Sequence, residues 1–217
     1  NPPYSIKWDG DANPLLINDP RCAPAGVLAP KSKADLAFTM HILHWLAVNG
    51  TAAIVEFPGV LYRGGAEAKI RQYLIDNNYV DAVIQLPPDL FFGTTIATCI
   101  IVLKKSKSDN ATLFIDASAE FARNGNKNKL ASPHRQKILD AFTARISIDH
   151  FARLVENGEI AENGYNIAVS SYVEQEDTRQ AVDIIALNAE ITAIVTRQAQ
   201  LREAIDAIVA DLEGAEA

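Results

Sequence analysis

Apolar residues follow two different patterns along this chain of 217 residues. In the first two thirds, short and almost continuously apolar runs alternate with stretches in which apolar residues recur every three or four positions. The first pattern is typical of buried strands, and the second is typical of helices that bury one face. Strands are predicted at 51–57, 80–86, 98–104 and 112–115, and helices at 33–48, 66–77 and 133–145.

This order of elements predicts an open, mostly parallel α/β sheet. The last two predicted strands follow each other without a helix between them, which predicts an antiparallel hairpin at one edge of the sheet. Residues 5–30 are rich in Pro, Gly, Asn and Asp and predict a long ordered loop. Asn-Gly pairs interrupt residues 151–172, for which we predict irregular structure.

The C-terminal segment carries a seven-residue repeat of apolar positions, which predicts a long helix with a narrow apolar seam. Either the seam packs against the rest of its own chain, or it joins a bundle or coiled coil with a partner chain. A seam of this width favours the partner, and the one polar position, Gln198, would set register. The predicted partner interface consists of Ile184, Leu187, Ile191, Ile194, Leu201, Ile205 and Ile208.

Charge divides the chain unevenly. The net charge is −7, but residues 1–150 carry +2 and residues 151–217 carry −9. The acidic last part is therefore a poor surface for nucleic-acid phosphates, whereas the charge of the first part is compatible with them. The two cysteines have no metal-ligand spacing, and no apolar run is long enough to span a membrane. We expect a cytoplasmic protein with reduced thiols and no bound metal.

The chain opens on Asn1-Pro2-Pro3-Tyr4, which matches the tetrapeptide that holds an exocyclic amino group in aminomethyltransferases. An amide oxygen and a proline carbonyl can each accept one N–H bond from a planar amine, which localises the nitrogen lone pair. The prolines restrict the backbone, and the aromatic ring offers a stacking face. The alternative is a rigid turn without chemistry.

Five further stretches join this motif in an order that resembles one family, the modification subunit of type I restriction–modification systems. The resemblance is to the C-terminal portion of that adenine-N6 DNA methyltransferase, starting at the motif. The matching stretches are LAPKSKADLAF at 28–38, GVLYRGGAEAKIRQYL at 59–74, VIQLPPDLFFGTTIATCIIVL at 83–103, LFIDAS at 113–118 and EIAENGYNIAVSSYV at 159–173.

The resemblance implies a Rossmann-like methyltransferase fold that uses S-adenosylmethionine, followed by a helical C-terminal extension. Residues 1–118 would be the C-terminal half of the catalytic domain, 119–178 an irregular and helical connection, and 179–213 the assembly helix. The catalytic residues would be Asn1, Pro2, Pro3 and Tyr4, with Asn1 and Pro2 also next to the cofactor.

Three phenylalanines take roles from the same resemblance. The flipped base would stack on Tyr4 and on Phe91, with Phe92 as the second choice, and Phe38 would pack near the adenine of the cofactor. Core packing is the alternative for all three, because Phe38 lies on an amphipathic helix and the other two follow a strand.

The family's Phe-x-Gly-x-Gly loop is absent from the sequence, as is its acidic ribose-binding residue. We therefore expect a fragment whose main cofactor site lies upstream, and which neither binds S-adenosylmethionine well nor methylates DNA by itself. The implied partners are double-stranded DNA and the specificity and restriction subunits. Arg63, Arg123, Lys127 and Lys129 are candidates for DNA backbone contacts, although a helix-entry turn and a solvated loop explain them equally simply.

Other functions remain open at this point. A cytosine-C5 mechanism is excluded because neither Cys22 nor Cys99 follows a proline. His41 and His44 share a helix without a further ligand, which favours packed or solvated histidines over a metal site. The remaining alternatives are a methyltransferase that acts on RNA or a protein glutamine, and an assembly module that docks on the specificity subunit without activity of its own.

Overall fold

A computed structural model of the chain describes residues 1–176 and 183–214, with side chains described as far as Leu212. The chain divides into two units, residues 1–176 and 177–217. The predicted boundary between 178 and 179 lies outside the described residues.

The first unit alternates helices and strands much as the apolar pattern predicts. Its elements are α1 (Asp35–Trp45), β1 (Thr51–Glu56), α2 (Ala66–Asp76), β2 (Val80–Gln85), β3 (Cys99–Lys104), β4 (Ala111–Asp116), β5 (Ala122–Asn124), β6 (Lys127–Lys129), α3 (Ser132–Ala144), β7 (Ala152–Glu156) and α4 (Asn157–Glu162). The predicted strands and helices of the first two thirds are therefore confirmed, with ends that shift by a few residues.

The strands pair differently from the prediction. Five of them form one sheet in the order β1-β3-β2-β4-β7. Strand β3 runs antiparallel to both β1 and β2, between which it lies, while β4 is parallel to β2 and antiparallel to β7. The predicted edge hairpin of β3 with β4 is wrong, and so is a mostly parallel sheet. The loop after β2 contains no crossover helix, so the chain returns antiparallel beside β2.

Apolar side chains fill both faces of the sheet. One cluster joins the sheet to α1 and α2 and includes Leu36, Met40, Ile70 and Leu103. A second cluster lies on the side of α3 and includes Ile84 and Ala141 together with their neighbours. Burial on both faces explains why β2 and β4 read as continuous apolar runs rather than as alternating ones.

The region predicted to be irregular contains regular structure. Strand β7 pairs with β4 at the sheet edge, and α4 follows directly. Asn157 is a buried residue of α4 rather than a turn residue, because its Oδ1 accepts a bond from Thr112 Oγ1 (3.0 Å) and its Nδ2 donates to Ile75 O (3.2 Å). The prediction was wrong here because an Asn-Gly pair was interpreted as a turn. The predicted basic loop likewise contains the hairpin β5–β6.

The second unit is described as one helix, α5 (Ile184–Gly214), of 31 residues. Its position confirms the helix predicted from the heptad pattern. Every described side chain along it is exposed, and the seam residues are 46–69% exposed. No helix in the described parts of the chain combines the length and apolar character needed to cross a bilayer.

Candidate functional site

The opening motif folds into a compact turn beside the end of β1. The Tyr4 hydroxyl donates a hydrogen bond to Asn1 Oδ1 at 2.6 Å. The Tyr4 ring packs on Phe57, the residue after β1, with ring centroids 5.0 Å apart and planes tilted by 59°. Asn1 and Pro3 are exposed, whereas Pro2 and Tyr4 are half-buried. The structure thus brings the two ends of the motif together and leaves the Asn1 amide open to solvent.

Asp35, the first residue of α1, anchors the turn through hydrogen bonds to Ser5. Asp35 is fully buried, and its carboxylate accepts bonds from the Ser5 backbone N–H (2.6 Å) and the Ser5 hydroxyl (3.3 Å). Ser5 has a φ of 51°, in the left-handed region that non-glycine residues rarely adopt. The buried carboxylate therefore holds the backbone directly after Tyr4 in a conformation that it would not keep unaided.

A second buried carboxyl lies at the end of β1. Glu56 is fully buried; its Oε1 accepts a bond from Thr39 Oγ1 (2.9 Å), and its Oε2 has no hydrogen-bond partner among the described residues. Burial raises the pKa of Glu56 to about 8, although the bond from Thr39 opposes the rise. Burial, and then the charge of Glu56, also raise the pKa of the Tyr4 hydroxyl. Near pH 7 the Glu56 carboxyl at the end of β1 is therefore mostly protonated and uncharged.

The three candidate phenylalanines have different surroundings. Phe38 is half-buried and packs against the cluster between α1 and the sheet. Phe91 is half-buried against the cluster on the α3 side, whereas the neighbouring Phe92 is fully exposed. Of the two aromatic residues that follow β2, Phe92 is thus the one whose ring faces are open. Their roles in base stacking and cofactor binding stay predictions.

The candidate DNA-contacting cations are mostly engaged within the protein. The Arg63 guanidinium lies against Gly59 and pairs with Glu67 at 3.5 Å. Arg123 NH1 donates to Asn128 Oδ1 at 3.0 Å. The remaining two lie on β6, where Lys127 Nζ donates to Thr94 O at 2.9 Å and Lys129 is exposed.

The histidine pair on α1 packs around an aromatic ring. His41 and His44 both contact Trp45 edge-on, at centroid distances of 6.3 Å and 5.4 Å. Among the residues that the structure describes, no three His, Cys, Asp or Glu side chains cluster as metal ligands. All three rings are exposed, so the histidines contact Trp45 at the surface of α1.

Asp35 and Phe57 contact the turn that carries the motif, and Glu56, bonded to Thr39, lies near enough to Tyr4 for its charge to act on the Tyr4 hydroxyl. None of these four residues was predicted as a site residue. One signal was available, because Glu56 is a carboxylate within the otherwise apolar run TAAIVEF. A charged residue in a buried strand needs a partner or a shifted pKa, and both are typical of functional sites. Asp35 gave no comparable signal, since an acidic residue at a helix start is common.

Comparison with known proteins decides the family. The model of the N-6 DNA Methylase family matches residues 1–181. The chain belongs to this family. It is 48% identical over 214 residues to the type I restriction enzyme MpnII methylase subunit of Mycoplasma pneumoniae, and 30% identical over 226 residues to the MjaVII methylase subunit of Methanocaldococcus jannaschii. The match covers 98% and 99% of this chain but 39% and 38% of those two relatives.

A solved structure agrees with the family. The chain matches the type I restriction-modification system methyltransferase subunit from Streptococcus thermophilus with a TM-score of 0.77 and 46% identity, over 80% of this chain and 37% of that one. This confirms both the resemblance to type I modification subunits and the Rossmann-like methyltransferase fold. The 217 residues span less than half the length of each of these three relatives.

Proposed function

We propose that this chain supplies the catalytic loop for adenine-N6 methylation of DNA, as part of a type I modification enzyme that uses S-adenosylmethionine. The observation that carries the proposal is the geometry of the motif. Asn1 presents an exposed amide oxygen that the Tyr4 hydroxyl orients, on a turn that a buried carboxylate anchors. Family membership and the names of the type I relatives support the choice of DNA as substrate.

The proposed mechanism assigns a task to each residue of the motif. The adenine N6 amine donates one N–H to Asn1 Oδ1 and the other to the carbonyl of Pro2, which localises the nitrogen lone pair. Tyr4 offers a ring face to the flipped base. S-adenosylmethionine, where bound, supplies the methyl group as a sulfonium. Asn1 and Pro2 would hold the N6 nitrogen towards that methyl group, and would keep the amine in place until its proton, which becomes acidic on transfer, is lost to solvent.

The Tyr4–Asn1 bond refines this assignment. An amide oxygen has two lone pairs, so Asn1 Oδ1 can accept from the Tyr4 hydroxyl and from adenine together. In the structure the Tyr4 bond directs the Asn1 amide oxygen towards the Tyr4 hydroxyl. Tyr4 therefore pre-orients the acceptor in addition to stacking.

Two of the three residues that we assign to the cofactor are accessible to a ligand. Asn1 is exposed and Pro2 half-buried at the motif, whereas Phe38 is partly used by the core. The 217 residues contain no Phe-x-Gly-x-Gly loop. We therefore place the main cofactor cradle on polypeptide outside this chain, and expect the chain alone to be inactive.

The exposed seam of α5 supports an assembly role as a second function. Its apolar residues are half or more exposed at most positions, and a helix gains little stability in water from propensity alone. We assign it to docking on the specificity subunit, which would carry sequence recognition, within a complex that also holds the restriction subunit. A cytoplasmic location is part of the same proposal.

Calorimetric titration of S-adenosylmethionine tests the division of the cofactor site. We expect binding to a chain extended by an N-terminal region like that of the relatives, and none to the 217 residues alone. Micromolar binding to the short chain would contradict this division. Methyl transfer to RNA or to a protein glutamine, in place of DNA, would support the alternative substrates and remove DNA from the proposal.

A further inference from the structure

The loop between β2 and β3 presents Phe92 to solvent and is held in an unusual backbone conformation. Phe92 is fully exposed, and two residues of the loop, Asp89 (φ 57°) and Gly93 (φ 81°), lie in the left-handed region. Glycine adopts this conformation freely, but at Asp89 it costs free energy and persists only where neighbouring contacts fix it. The contacts that hold this loop therefore also determine the position of the Phe92 ring.

Most of these contacts come from β6. The Asn128 backbone N–H donates to Asp89 O (3.0 Å), and the Asn128 side-chain Nδ2 donates to Pro88 O (2.8 Å). Lys127 Nζ donates to Thr94 O (2.9 Å), on the far side of Phe92. Asn128 is buried, so its amide is a fixed part of the structure rather than a surface group. Strand β6 therefore holds the loop by hydrogen bonds on both sides of the Phe92 ring.

The positive charges of Lys127 and Arg123 are also directed at the loop, where they face an acidic side chain. The Asp89 carboxylate lies 3.9 Å from both Lys127 Nζ and Arg123 NH1. Arg123 in turn donates to the Asn128 side-chain oxygen. A cation that bonds a carbonyl and faces a carboxylate is already partly neutralised, and a phosphate brought to it would also meet the Asp89 charge. These two cations are thus poor phosphate ligands as they stand.

We propose that Lys127 and Asn128 are positioning residues for the Phe92 loop, and that Lys127 acts on DNA through the Phe92 ring rather than through a phosphate. This deepens the proposed function and rests on it, because Phe92 is taken as the aromatic that meets the DNA or the flipped base. A loop fixed beforehand loses less conformational entropy when its ring stacks on a base.

The matched pair of variants is Lys127→Met and Lys129→Met. Both remove one positive charge from β6, but only Lys127 contacts the loop in the described structure. Hydrogen exchange of the full chain is the first readout, because it needs neither DNA nor methyl transfer. We expect Lys127→Met to speed exchange of the amides of Asp89 and Asn128 by about tenfold or more, and Lys129→Met to leave it unchanged. Unchanged exchange in Lys127→Met would overturn the proposal.

The second readout uses the assembled enzyme and DNA with 2-aminopurine at the target adenine. We expect Lys127→Met to weaken base flipping without changing the salt dependence of binding, and to add nothing to the effect of Phe92→Ala in the double variant. A salt slope that falls by about one, with normal loop exchange, would assign Lys127 to a phosphate and refute the proposal. Absence of methylation by the unmodified enzyme would refute the proposed function and the action on DNA that rests on it, whereas the positioning of the loop by Lys127 and Asn128 is tested separately by the exchange experiment.

Discussion

Replacing Glu56 by Gln should stabilise the first unit at neutral and alkaline pH. The carboxyl is fully buried, one of its oxygens lacks a partner among the described residues, and its pKa rises from an ordinary 4.5 to about 8. A glutamine side chain at this position would keep the size and the acceptor for Thr39, but it cannot ionise. The substitution therefore removes a proton linkage and little else.

The magnitude follows from the two pKa values. Below pH 4.5 the carboxyl is protonated in both the folded and the unfolded state, so the variant and the parent should be equally stable. Between pH 4.5 and 8 the unfolded state ionises and the folded state does not, which costs the parent about 1.4 kcal/mol per pH unit. The advantage of Glu56→Gln in the free energy of unfolding should therefore reach on the order of 3 kcal/mol at about pH 7 and level off above about pH 8.

Urea unfolding followed by tryptophan fluorescence measures this, because Trp8 and Trp45 both lie in the first unit. The matched control is Glu162→Gln, which changes an exposed carboxyl and should shift stability by less than about 0.5 kcal/mol. A Glu56→Gln advantage that is the same at pH 4 and pH 8 would refute a raised pKa. A loss of stability at pH 8 would show that the ionised carboxylate has a partner.

Three further predictions concern single contacts. Asn157→Ala should lower the free energy of unfolding by roughly 2–3 kcal/mol in urea, because it leaves buried groups unpaired, whereas exposed Asn126→Ala should change it little. Tyr4→Phe should slow methyl transfer by the assembled enzyme about tenfold at unchanged DNA affinity, since it removes only the bond to the Asn1 amide; an unchanged rate would contradict pre-orientation. Leu201→Asp on the α5 seam should abolish co-purification with the specificity subunit, and Thr196→Asp outside the seam should not; equal behaviour of the two would argue against the seam.

The elements of the fold could be predicted from local pattern, but their pairing could not. Runs of apolar residues locate β1 to β4 closely, because burial on both faces leaves a continuous signal. The insertion of β3 between β1 and β2 depends on contacts between distant segments, for which periodicity carries no signal. Asn157 shows the complementary limit, because a residue type common in turns is buried here by partners far along the chain.

The candidate site likewise contains residues that could be predicted from the sequence and residues that could not. The motif at Asn1 to Tyr4 could be identified from residue types, since its chemistry is local. The anchor at Asp35 could not, because it lies 30 residues from Ser5 and becomes visible only when the turn and α1 meet. For Phe91 and Phe92, the alternation of a strand predicts that only one ring is free, and the structure shows the Phe92 ring exposed.

The central claim is that the Asn1 amide holds the adenine amine during methyl transfer. The most direct measurement is nucleoside mass spectrometry of duplex DNA incubated with S-adenosylmethionine and the assembled enzyme, comparing the parent with Asn1→Ala. We expect N6-methyladenine from the parent, and a rate reduced by about 10²–10³-fold in the variant with DNA binding retained. Methylation at another atom, or an undiminished rate in Asn1→Ala, would contradict that claim.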